Sequence, residues 1–150
     1  MKTVHSKTKR NVTNKATTRK NRGGQTFMRA FITSMLESLI MIKLFHWKTH
    51  SFSGHKATDD LYAALNGHMD NFVEVLMGKM AGTRADFLST KSIKLVDLSN
   101  KKQLVGRVNS IISHLTKMEK VVPMPATDLL NIRDEILGDL NKFLYLLTLD

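Results

Sequence analysis

Between Leu44 and Lys79 the chain carries four histidines, His46, His50, His55 and His68, and four carboxylates, Asp59, Asp60, Asp70 and Glu74. Imidazole nitrogen and carboxylate oxygen are ligands that iron, manganese and zinc accept. Here they interrupt apolar, helix-patterned sequence, where a polar side chain is costly unless it is paired or ligated. Asp70 and Glu74 are four residues apart, so on a helix they share a face and can hold one ion. His55 and Asp59 have the same spacing. His55 and Glu74, however, are separated by about 28 Å on a continuous helix. One ion cannot touch both ends within a chain. Two copies of the helix packed antiparallel about a two-fold axis remove the difficulty. The His55/Asp59 end of one copy then meets the Asp70/Glu74 end of the other, twice per dimer, and isologous dimers are the commonest oligomers. His46, late in the preceding helix, can lean into the same site.

These residues must be positioned by helices, and the apolar periodicity supplies four. The first spans about Thr26 to Thr49, with Phe27, Phe31, Met35, Leu39 and Ile42 on one stripe and Ile32, Leu36 and Ile40 widening it. Its last third is apolar nearly all round, which predicts burial on two sides. The second spans about Ala57 to Met80 on Leu61, Leu65, Met69, Phe72 and Leu76. A link over 81–99 contains Phe87, Leu88, Ile93, Leu95 and Leu98, so it packs on something. The third helix, about Asn100 to Lys120, carries Leu104, Val108, Ile111, Leu115 and Met118. Pro123 and Pro125 then break the chain, and Thr127 is the expected N-cap of a fourth helix over about Asp128 to Leu147. No strand-like alternation competes. The expected fold class is all-α: a four-helix bundle with one long crossover between helices two and three, occupying residues 26–150.

The net charge of +10 belongs to one segment. Residues 1–24 hold Lys2, Lys7, Lys9, Arg10, Lys15, Arg19, Lys20 and Arg22 and no acid, leaving fifteen basic and thirteen acidic residues in the rest, a net +2. With so few apolar residues the segment cannot offset its ordering entropy, so a disordered basic tail over 1–25 is expected, with Gly23-Gly24 as a hinge. Its eight cations suit a nucleic-acid backbone, with a steep salt dependence. It has no aromatic residue for base stacking, so binding to DNA should be non-specific. The competing reading is a nuclear targeting signal (KTKR, RKNR) or a solubility tail. The absence of cysteine fits a reducing, intracellular setting, cytoplasm or nucleus. The most apolar run, Ser38 to Trp47, contains Lys43 and His46 and is too short to span a bilayer, so no membrane partner is expected.

At the histidine–carboxylate segment the chain resembles Dps, the DNA-binding miniferritins of the ferritin-like superfamily. That family has a HW motif late in its first helix, and a His opening the second followed by Asp at +4, Asp at +15 and Glu at +19. Here HW is His46-Trp47, and His55 is followed by Asp59, Asp70 and Glu74 at those intervals. The closing run Asp139 to Tyr145 resembles the family's DLxKFLW-type segment. HWKT and HKATDDLY resemble still more closely uncharacterised ferritin-like proteins of large DNA viruses. The resemblance covers roughly residues 26–148. It implies a ferritin-like bundle and a ferroxidase centre made of His46, His55 and Asp59 of one subunit with Asp70 and Glu74 of its two-fold mate. It further implies Fe(II) oxidation, usually by peroxide, a dodecameric shell and DNA binding. One interval departs: His46 and His55 are nine apart where the family has twelve, and His50 is the substitute ligand. No Glu-x-x-His pair is present, which argues against a di-iron site inside one bundle.

Taken singly, each of these residues has a plainer role: a solvated first turn for Asp59 and Asp60, an exposed polar face pairing with Lys79 or a neighbour's arginine for Asp70 and Glu74, a carbonyl-bonded core residue for His46. His5, His68 and His114 are left without a role, Trp47 is assigned to core or interface, and the methionines to core. The alternative function is a non-catalytic structural or virion-associated bundle whose tail anchors it to nucleic acid or to virion proteins.

Overall fold

Helix α1, His5–Lys48, turns into α2, Phe52–Lys79, over only three residues. The computed structural model describes the backbone of residues 5–79, 88–120 and 126–149, and side chains within those ranges from Gly24 onward. Helices α3, Lys101–Thr116, and α4, Thr127–Leu146, complete the set, with single 3₁₀ turns at Met118–Lys120 and Leu147–Leu149. No strand occurs among the described residues. The molecule is an all-α four-helix bundle.

Cross-helix contacts fix its topology. Lys79 meets Asp128, His68 meets Asp139, and Leu61 lies beside Phe143, so α2 and α4 run antiparallel. Phe27 stacks on His114 at one end while Phe45 and Lys101 line one cavity at the other, so α1 and α3 are also antiparallel. The crossover therefore travels the length of the bundle, and α3 descends in the same sense as α2. Its described part, residues 88–100, lies along α1. The core is one cluster built from the predicted stripes, with Met35, Ile42, Leu65, Phe72, Leu104, Leu115, Ile136 and Leu140 almost inaccessible.

Several boundaries differ from the sequence expectation, each for a local reason. α2 begins at Phe52 instead of near Ala57 because Ser51 caps it: its hydroxyl accepts the Gly54 N–H at 3.0 Å. A Cβ on Gly54 would lie 3.3 Å from the Ser51 and Thr49 hydroxyls, so glycine fits this tight turn. α3 ends at Thr116, and its start is doubly capped. Asn100 Oδ1 accepts from Gln103 N–H, and Gln103 Oε1 accepts from Ser99 N–H. Thr127 is the first residue of α4 and not its cap; the cap position is Ala126, whose methyl group makes no capping hydrogen bond. Finally, α1 is helical from His5, through the glycines expected to hinge, where a disordered segment was expected. Extending an existing helix adds a hydrogen bond per residue without a new nucleus, and lysine, arginine and alanine are good helix formers. Lys2 lies outside the described residues. Lys7, Lys9, Arg10, Lys15, Arg19, Lys20 and Arg22 lie on this helical backbone, and their side chains are outside the described set.

One exposure expectation is corrected. Ile40 is 38% and Trp47 67% exposed in the single chain, so the last third of α1 is not buried on both sides; of the two places expected for Trp47, core or interface, the core is ruled out. Thr33 and Glu37 of α1 meet the crossover, and Ile40 and Trp47 are left to solvent.

Candidate metal centre

The three-residue turn brings His46 at the end of α1 over His55 in the first turns of α2. Their rings stack with centroids 3.8 Å apart. The pair is locked reciprocally: His46 Nδ1 donates to the His55 carbonyl at 3.0 Å, and His55 Nδ1 donates to the His46 carbonyl at 3.0 Å. Thr58, fully buried, reinforces the lock. Its hydroxyl donates to the Gly54 carbonyl at 2.7 Å and its oxygen lies 3.3 Å from His46 Nδ1. A carbonyl can only accept, so a neutral ring in either position carries its proton on Nδ1 and presents the Nε2 lone pair. Metal-binding histidines are oriented in this way, with the second nitrogen donating to a carbonyl or carboxylate.

Asp59, one turn after His55, completes the cluster. Its Oδ1 is 3.9 Å from His46 Nε2, too far for a hydrogen bond. Two atoms that each sit about 2.1 Å from one ion are separated by about 3–4 Å, so the spacing fits shared coordination. The cation that Asp59 now faces is Lys43, whose Nζ is 3.5 Å from the same oxygen and 4.8 Å from the centre of the Tyr62 ring. Asp60 points elsewhere and pairs with Lys56 at 2.7 Å. That carboxylate holds the Lys56 ammonium above the ordinary lysine range.

Asp70 and Glu74 lie on the same unbroken α2, exposed, and make no ion pair among the described residues. Lys79, the plainer partner for them, is bound to Asp128 at 2.8 Å instead. The chain thus brings together His46, His55 and Asp59 and keeps Asp70 and Glu74 apart from them. Among the described residues, no group of three His, Asp or Glu side chains is placed to hold an ion within one chain. His50 is exposed and lines a separate cavity of about 280 Å³ with Lys48, Ser99 and Lys101; it does not join the His46 cluster.

One polar cluster was missed at the sequence level. His68, left without a role, bridges α2 to α4, with Nε2 2.9 Å from Asp139 and Nδ1 3.4 Å from Glu135. The i, i+4 spacing of Glu135 and Asp139 was visible, but their meeting with His68 depends on α2–α4 packing, which periodicity alone does not fix.

No helix among the described residues is long and apolar enough to cross a membrane. Residues 46–147, which contain every proposed metal ligand, match a family of unknown function (DUF5856). No curated protein and no solved structure matches the chain.

Proposed function

The chain belongs to the DUF5856 family, and we propose that this member is a Dps-like protein that binds and oxidises ferrous iron between two copies and binds DNA through its basic N-terminal segment. The observation that carries the reading is the reciprocal lock of His46 and His55, which commits both Nδ1 atoms to carbonyls and leaves His46 Nε2 facing Asp59 at 3.9 Å. Three candidate ligands, two imidazoles and one carboxylate, make half a centre. Asp70 and Glu74 of a two-fold mate, carried on a continuous α2, supply the other half. The ferritin-like arrangement is supported by the crossover that runs the bundle's length and returns α3 parallel to α2.

Iron is the substrate here. Each Fe(II) gives up one electron and peroxide accepts two, so two ferrous ions reduce one peroxide to two hydroxides. The chain's own contribution is to hold imidazoles in the correct tautomer and to supply anionic oxygen that favours the ferric product. Peroxide-driven formation of ferric product, followed optically under anaerobic loading, should be faster than in buffer and should vanish in the pair His55→Ala plus Glu74→Ala. Unchanged oxidation in that variant would rule the reading out.

A second reading rests on Lys43. An ammonium already neutralises Asp59, as it would in a non-catalytic bundle that docks to a partner, with a virion component as one candidate. That reading predicts metal-free protein after anaerobic iron exposure and normal assembly of the histidine variants.

A further inference from the structure

At one end of the bundle α1 and α4 finish while α2 and α3 begin, and a cavity of about 280 Å³ lies between them. Its floor is apolar: Phe45 near the end of α1, Leu98 of the crossover and Leu147 just after α4 are all buried. Its mouth is basic: Lys48, His50 and Lys101 line it and are exposed, and no aspartate or glutamate among the described residues does. Two helix N-termini and two C-termini meet here, so the helix dipoles nearly cancel and the side chains set the charge preference. Asp97 steadies the Lys48 ammonium from outside the lining.

The polar groups of the wall have hydrogens to give. The Thr49 oxygen accepts the Ser51 N–H at 3.3 Å, and Asn100 Oδ1 accepts the Gln103 N–H at 3.0 Å. What remains is the Thr49 hydroxyl hydrogen and the Asn100 amide hydrogens, for which no acceptor lies among the described residues. An ammonium likewise donates and never accepts. The complementary ligand is therefore an anion rich in acceptors. Its donors come from three directions: Lys48 closes α1, Thr49 and His50 belong to the turn, and Asn100 and Lys101 open α3. A phosphate monoester carries three strong acceptor oxygens and suits that spread. A carboxylate offers only two, on one edge. The cavity has room for about nine waters at about 30 Å³ each, more than a bare phosphate needs. Its floor gives water no hydrogen bond, so an apolar body belongs there. We propose that this cavity binds a small aromatic phosphate ester, with the phosphate among Lys48, His50 and Lys101 and the ring on Phe45, Leu98 and Leu147. His46 and Asp59 do not line it, and the site does not rest on the metal reading.

Phenyl phosphate is a direct probe, followed by phosphorus NMR on the full-length chain without added metal. It should bind with a Kd of about 0.1–1 mM, as expected of a ligand this small. Inorganic phosphate leaves the floor empty and should bind at least about tenfold more weakly. Ser99→Trp fills the cavity and removes no charge, and should abolish binding. Lys101→Gln should weaken binding about five- to tenfold. Lys117→Gln, exposed at the far end of α3, should leave it unchanged. Far-UV spectra and thermal melts first establish that each variant is folded. Equal losses at Lys101 and Lys117 would reduce the binding to general attraction by a basic chain and overturn the site. Inorganic phosphate binding as tightly as phenyl phosphate, or binding retained in folded Ser99→Trp, would overturn it as well. No readout involves iron, so a failure of iron oxidation with phenyl phosphate binding intact would count against the metal reading alone.

Discussion

Lys43→Met separates the stability of this fold from its proposed chemistry, because the two should move in opposite directions. The Lys43 ammonium is 3.5 Å from Asp59 Oδ1, with the lysine side chain 31% and the aspartate 52% exposed. At that distance the attraction is about 1.2 kcal/mol at the dielectric of water and about 2.4 kcal/mol at half that value. A divalent ion at Asp59 must displace this cation or sit beside it. Relieving that competition should strengthen metal binding by about 1–2 kcal/mol, about 5- to 30-fold in Kd. Methionine keeps the apolar stem that lies along Tyr62. The metal-free fold loses an exposed ion pair and a cation–π contact, together about 1 kcal/mol. That corresponds to a fall in Tm of about 2–4 °C for a domain of this size. Anaerobic calorimetric titration with ferrous iron and a metal-free thermal melt read the two effects separately. Tighter iron binding with a lower melting temperature supports the account. Unchanged or weaker binding would refute the claim that Asp59 is a ligand.

Other predictions follow from the packing and charge. Phe72→Ala removes a fully buried ring that meets Phe31 edge-on at 5.0 Å, and should cost about 3–5 kcal/mol in denaturant unfolding. Asp128, hydrogen-bonded by Lys79, titrates below the ordinary carboxylate range. Its stabilising contribution is complete above the unfolded value, near pH 4, and is lost as pH falls through the lower folded value. Asp128→Asn should therefore show a smaller fall in urea midpoint between pH 6 and pH 3 than the parent chain. Deleting residues 2–22 should weaken duplex-DNA binding and reduce the slope of log affinity against log salt by up to about seven.

The fold was largely legible because the bundle is written in helical periodicity. The stripe from Leu61 to Leu76 and the one from Leu129 to Leu147 both became core. Loop chemistry was less legible: Ser51 as a cap is a local signal in SFSGH, but it reads as turn until the short α1–α2 connection is known. The ligand types and the impossibility of one ion reaching from His55 to Glu74 followed from spacing alone. The stacking of His46 on His55 did not, because it depends on where two helix ends meet. The nine-residue interval looked short for the resemblance, yet the turn accommodates it and brings the two rings into contact. Lys43 at Asp59 and His68 between Glu135 and Asp139 are tertiary facts with no one-dimensional signature. Whether Trp47 belongs to core or to an interface was not legible, because an aromatic residue beside an apolar run carries no information about which side the neighbours occupy.

The central claim is that the two halves of the centre come from different chains, and subunit mixing tests it most directly. In a dimer of one His55→Ala chain and one Glu74→Ala chain, one site carries both substitutions and the other carries neither. Each variant alone should take up little iron. Refolded together in equal amounts, they should regain about a quarter of the parent's sites, because half the dimers are mixed and each has one intact site. No recovery on mixing, in chains shown to assemble, would contradict a site shared across the two-fold axis.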